Sequence, residues 1–158
     1  MTTLKDSIEI KTVPEKIFNG LIRAFSSEEN FKKWHKDHVK CQWLRGKPFE
    51  IGSVLYVEEY LHGELHKMKF LSTQLEPNRK IEYKLLFPTS IICPIGSFII
   101  EPKGESCIFT ATLSFRVGWL FSIFAKNRVD AVKKHMKEEG ENLKKICETT
   151  AHDWRGMK

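Results

Sequence analysis

The segment His135-Met136-Lys137-Glu138-Glu139-Gly140-Glu141-Asn142-Leu143-Lys144 lies inside a stretch, residues 124–149, whose apolar residues recur with helical spacing. At about 100° per residue, Ala125, Val129, Val132, Met136, Leu143, Ile146 and Cys147 gather on an arc of roughly a quarter to a third of the circumference. The spacing predicts one long terminal helix that buries this single face against the rest of the chain. Glu139 falls inside the arc, and His135 lies about 40° from it, just past the edge on the Ile146 side. An acid and an imidazole therefore point largely inward. Four positions apart, they stack one turn from each other at roughly 5–6 Å between Cβ atoms, which is a metal-ligand spacing. On a surface such a pair contributes only about a few tenths of a kcal/mol, and Lys137, Glu138, Glu141 and Lys144 read as contacts of that kind. An isolated buried carboxylate costs several kcal/mol, so the inward Glu139 requires a partner. Gly140 in mid-helix costs about 1 kcal/mol relative to alanine and leaves room for a close neighbour.

Upstream of this helix the pattern changes. Residues 7–11 alternate, with Ile8 and Ile10 on one face, and read as a strand. Pro14-Glu15-Lys16 opens a helix to about residue 25, with Ile17, Phe18, Leu21 and Ile22 as its apolar side. Ser26 and Ser27 offer an N-cap to a second short helix over residues 28–34, whose first turn carries acids. Strands are expected at 41–44, 53–61, 64–74, 81–87, 96–101 and 107–117. They are separated by turn chemistry such as Arg45-Gly46-Lys47-Pro48, His62-Gly63, Glu76-Pro77-Asn78 and Pro102-Lys103-Gly104. Short links make successive strands antiparallel. A sheet of this size curls and needs one face covered, which the terminal helix supplies. The expected fold class is α+β, a curved antiparallel sheet wrapped around a long C-terminal helix. One domain is expected over residues 1–150, with a short basic tail at 151–158.

A chain of 158 residues, 41% apolar and 29% charged, suffices for one globular domain with a sizeable core. It holds no run of eighteen apolar residues, and the N-terminal Met1-Thr2-Thr3-Leu4-Lys5-Asp6 has no apolar core of the kind a signal peptide carries. Neither a membrane span nor a signal peptide is expected, and the expected location is cytoplasmic. Cys41, Cys93, Cys107 and Cys147 are far apart, with no Cys-x-x-Cys pair, and read as reduced packing thiols. The formal charge is +6, but the lysines are scattered. The densest early cluster, Lys32, Lys33, Lys36 and Lys40, is interleaved with His35, Asp37 and His38, without a recognition helix or an RNA-binding aromatic signature. Nucleic acid is not an expected partner. The apolar run Trp119-Leu120-Phe121-Ser122-Ile123-Phe124 reads as packing at the start of the last helix rather than as a membrane contact.

Three regions supply candidate site residues. His135 and Glu139 come from the helix. Trp34-His35-Lys36-Asp37-His38 offers two histidines three apart, of which one is expected to face inward. On the hairpin at residues 56–68, Leu55, Val57, Glu59 and Leu61 share a strand face, so Glu59 points into the core. Glu64 and His66, close to the turn, and His62 within it, read as solvated. Two inward carboxylates beside His135 need a compensating charge. A divalent cation supplies it, and one of the two histidines, His35 or His38, would complete a nitrogen and oxygen set suited to zinc.

The opening Ile8-Glu9-Ile10-Lys11-Thr12-Val13-Pro14-Glu15-Lys16-Ile17-Phe18, and Gly52-Ser53 followed by Glu59-Tyr60-Leu61-His62-Gly63, combine with the element order over nearly the whole chain. Together they resemble the helix-grip fold of the START and birch-pollen-allergen superfamily, also called SRPBCC or polyketide cyclase-like. The resemblance implies an elongated pocket between sheet and helix for an apolar small molecule. Trp34-His35-x-x-His38, Glu59 with Gly63 after it, and His135-x-x-x-Glu139 look like the pattern of the zinc-dependent 2,4-diacetylphloroglucinol hydrolase branch. That likeness implies His38, Glu59, His135 and Glu139 as zinc ligands. No counterpart of the extra N-terminal region of that longer hydrolase is expected, and its substrate is not carried over. Two functions are expected to compete: a metal-dependent hydrolase of a small apolar carbonyl compound, with Tyr56, Tyr60 or Tyr83 donating to the developing oxyanion, and a carrier of an apolar molecule or lipid.

Overall fold

The computed structural model describes residues 1–116 and 126–149. The apolar run Trp119 to Phe124, Ala125 at the head of the arc and the tail 151–158 lie outside the described residues. The elements are β1 (Thr2–Ile10), α1 (Pro14–Ala24), α2 (Glu28–Trp34), β2 (His38–Arg45), β3 (Val54–Leu61), β4 (Glu64–Glu76), β5 (Lys80–Leu85), β6 (Ile95–Lys103), β7 (Ser106–Phe115) and α3 (Lys126–Glu148). The strands form one seven-stranded sheet in the order β1-β7-β6-β5-β4-β3-β2, antiparallel at every pairing. The sheet curls around α3, which is the α+β helix-grip arrangement.

Ser27 is the cap of α2, its hydroxyl accepting from the Asn30 amide at 3.1 Å. Two strands start three or more residues earlier than their alternation indicates. β1 pairs with β7 from Thr2 onward, because Thr3 and Ser7 on its outer face bond Ser114 and Thr110 hydroxyls and need no apolar pattern. β2 starts at His38 rather than 41, with His38 paired opposite Glu59 on β3. That early start draws a histidine from the expected loop into the sheet.

On α3 the expected arc is buried at Met136, Leu143 and Cys147. Complete burial of Leu143 alone contributes about 1.5–3 kcal/mol. The neighbour that approaches Gly140 is β1: a methyl there would meet an Asp6 carboxylate oxygen at 3.4 Å and Ile8 at 3.5 Å. Trp34 ties the helix from the other side. Its Nε1 donates to the Glu139 carbonyl at 3.1 Å, and Asn142 Nδ2 donates to the Trp34 carbonyl at 2.8 Å. The four cysteines are free and buried, and burial pushes the Cys41, Cys93 and Cys147 thiols up to about 12, where they stay protonated. No helix among the described residues is long and apolar enough to cross a membrane.

Candidate metal centre

Each donor is aimed by its element. After α2 the chain is extended at His35 (φ −150°, ψ 141°), which swings His38 into β2. The His38 ring stacks on Phe31 at 3.8 Å between centroids, and its Nδ1 donates to the Phe31 carbonyl at 2.8 Å. That bond puts a proton on Nδ1 and turns Nε2 toward the site. Glu59 arrives on the β3 face that also carries Leu55 and Val57, both buried. His135 and Glu139 arrive one helical turn apart, with the Trp34 bond holding the backbone of Glu139.

The four residues converge. His38 Nε2 lies 3.0 Å from Glu139 Oε2, 3.3 Å from His135 Nε2 and 3.6 Å from Glu59 Oε2. His135 Nε2 lies 3.5 Å from each of the two carboxylate oxygens. A zinc ion held tetrahedrally at about 2.0–2.1 Å separates its ligand atoms by about 3.3–3.4 Å, and these five distances, 3.0–3.6 Å, lie on either side of that edge length. Ligand atoms of all four residues lie within 4.8 Å of one another.

The charges argue in the same direction. Burial alone would push His135 down, but the Glu139 and Glu59 carboxylates beside it hold its imidazole protonated up to about 11. Burial would raise Glu139, and the His135 cation overrides it, holding the carboxyl well below the usual carboxylate range. Two carboxylates meet in a site whose side chains are at most 17% exposed, and a divalent cation would balance their charge.

The remaining candidates go elsewhere. His35 is buried as well as His38, which corrects the expectation that only one faces inward. His35 Nδ1 accepts the Asp37 amide at 2.9 Å, which leaves Nε2 to donate to Glu138 Oε1 at 3.3 Å. Its three-histidine cluster with His38 and His135 is thus geometrically close, but the His35 nitrogens are engaged. Glu64 is 55% exposed and pairs with Arg128 at 3.4 Å. Tyr60 is exposed, and the Tyr56 hydroxyl donates to Glu58 at 2.7 Å; both tyrosines lie off the cavity wall.

Glu59, His135 and Glu139 form one part of the wall of a cavity of about 230 Å³ between sheet and helix, otherwise lined by groups such as Val57, Met68, Phe70, Phe98 and Tyr83. Tyr83 is buried in this wall, its ring edge-on to Phe70 at 5.2 Å and tilted against Phe98 at 5.7 Å. Burial pushes its hydroxyl well above its ordinary value, so it remains a donor. Sequence pattern alone did not separate Tyr83 from the other tyrosines; the signal was Gly96 on β6. The two residues are register partners, and a Cβ at Gly96 would fall 2.5 Å from the Tyr83 ring. Gly96→Ala is expected to displace the ring into the cavity and weaken binding of an apolar fluorescent probe by about tenfold or more. Unchanged probe affinity would contradict that placement.

A family model described as polyketide cyclase / dehydrase and lipid transport matches residues 1–148. The chain belongs to this family. Comparison with curated protein sequences gives no match. Solved structures share the fold of this chain at low identity. Truncated norcoclaurine synthase from Thalictrum flavum has a TM-score of 0.74 at 11% identity, covering 94% of each chain. The Zhui aromatase/cyclase from Streptomyces sp. R1128 has 0.69 at 13%, covering 93% of each. Major latex-like protein 151 from Panax ginseng has 0.59 at 14%, covering 85% of this chain and 97% of its own. These likenesses establish the fold, and the site is this chain's own to explain.

Proposed function

We propose that the protein is a metal-dependent hydrolase acting on a small apolar carbonyl compound held in the cavity, with His38, Glu59, His135 and Glu139 as the residues that would hold zinc. The observation that carries this reading is the close convergence of two imidazole nitrogens and two carboxylate oxygens, with Glu59, His135 and Glu139 at the cavity wall. Zinc in such a site supplies Lewis acidity toward a carbonyl and makes water a better nucleophile near neutral pH. The chain's own part is to bind and to orient. The aromatic and aliphatic wall takes up the apolar body of the substrate and excludes bulk water. Tyr83 offers a neutral donor in the same wall, suited to an oxygen on which charge develops. The test is turnover of acyl-phenols by purified protein: activity that disappears with a chelator and returns with zinc supports the reading, and turnover indifferent to chelator contradicts it.

One observation favours the carrier reading instead. Four protein ligands would fill a tetrahedral site, as structural zinc sites do, whereas catalytic sites keep a position open. An apolar molecule extracted from the purified protein, together with bound zinc and no hydrolysis, would decide for a carrier with a structural metal.

Metal binding at neutral pH should also expel the proton that Glu139 and Glu59 keep on His135. Because that group's folded pKa is raised, its pairing stabilises the metal-free protein fully below about pH 6.5 and fades as pH rises toward about 11. Zinc competes with the same proton, so its affinity should rise about tenfold per pH unit from neutral upward. Calorimetry in two buffers of different ionisation enthalpy measures the proton release; no release would contradict the charge assignment.

A further inference from the structure

We propose that Glu138 is the outer partner of His135, turning from His35 to accept the His135 Nδ1 proton when Nε2 holds a metal ion. The inference rests on the metal reading above and adds a residue to it. An imidazole that ligates through one nitrogen keeps its proton on the other, and that N–H is ordinarily given to a carboxylate, a carbonyl or water, which fixes the ring. His38 meets this condition through the Phe31 carbonyl at 2.8 Å. His135 does not: its Nδ1 is buried and has no hydrogen-bond partner among the described residues.

Glu138 is placed to supply the acceptor. It follows His135 by three residues on α3, which puts both on neighbouring ridges of the helix. Both line a second, more polar pocket that shares Leu61 and His135 with the apolar cavity and has Asp37, Lys36, Lys134 and His62 around it. The carboxylate is held loosely, by one contact of 3.3 Å to His35 Nε2, and its side chain is 31% exposed. The His35 and His135 rings lie 4.2 Å apart, so a carboxylate resting on one has only a short swing to the other. The other acid in the pocket, Asp37, meets His35 on its opposite nitrogen, where its backbone amide donates to Nδ1 at 2.9 Å. Lys36 and Lys134 are exposed and, as cations, accept nothing. His35 then has a role of its own: it holds the Glu138 carboxylate beside the site in the metal-free protein.

The test is zinc affinity by competition with a chelating dye. Wild type is compared with Glu138→Ala, Glu138→Gln and the control Glu141→Gln, whose carboxylate is exposed and pairs with Lys137 at 4.0 Å. Glu138→Ala is expected to weaken zinc binding by about 10–100-fold. Glu138→Gln keeps an acceptor oxygen and should retain most of the affinity, and Glu141→Gln should match wild type. In the zinc-loaded protein a slowly exchanging His135 imidazole N–H should be visible by proton NMR and vanish in Glu138→Ala, a signature that a merely structural role would not move. Wild-type zinc affinity in Glu138→Ala, or equal loss in the alanine and glutamine variants, would overturn the proposal while leaving the metal site standing. A wild type that binds no zinc would overturn both.

Discussion

Glu139→Gln is expected to lower zinc affinity by well over about 100-fold, the upper end of what loss of an outer partner costs, while the fold stays in place. Glutamine keeps the volume and the helix. It removes the charge that sits 3.0 Å from His38 Nε2 and 3.5 Å from His135 Nε2. Without that carboxylate the remaining donor set carries one negative charge against a divalent ion. In the metal-free protein the change is milder. Orphaning a buried charge costs about 3–5 kcal/mol, but His135 can release its proton once Glu139 no longer holds it there. Chemical denaturation of the metal-free variant should therefore show a loss smaller than that figure. Glu64→Gln, at an exposed position beside Arg128, should bind zinc as wild type does. Equal zinc affinity in Glu139→Gln and wild type would remove Glu139 from the site.

Trp34→Ala is expected to cost about 3–5 kcal/mol of folding stability and to weaken metal binding together with it. Trp34 is 1% exposed and stands where α2, the start of β2 and α3 meet. Its ring packs edge-on to Phe25 at 5.2 Å and to His38 at 5.2 Å, and its indole N–H holds the Glu139 carbonyl. Truncation leaves a large cavity beside two of the proposed ligands. Urea unfolding measures the stability, and a loss under about 1 kcal/mol would show that the junction collapses without penalty.

The helix half of the site is legible in the sequence because a helix converts spacing into direction with no further information. Residues 124–149 place Glu139 inward by the same rule that places Met136 and Leu143, although His135, expected at the edge of the arc, is itself buried. Glu59 is legible for the matching reason in a strand, where Val57 and Leu55 share its face. His38 is different. Its direction depends on where β2 begins, and that is set by pairing with Glu59 on β3, a long-range fact that polar residues 35–38 do not encode as a pattern. Only the resemblance to the hydrolase branch singled it out. The burial of His35 and its contact with Glu138 depend on the packing of α2 against α3, and the fit of Tyr83 over Gly96 depends on cross-strand register. Neither relation leaves a local periodicity to read.

Elemental analysis of the untagged protein, alongside Glu139→Gln purified in the same way, tests the central claim most directly. The account predicts zinc equimolar with the wild-type chain, or equimolar uptake when zinc is added to metal-free protein, and a variant that is largely empty. A wild type that stays empty in the presence of added zinc would contradict it.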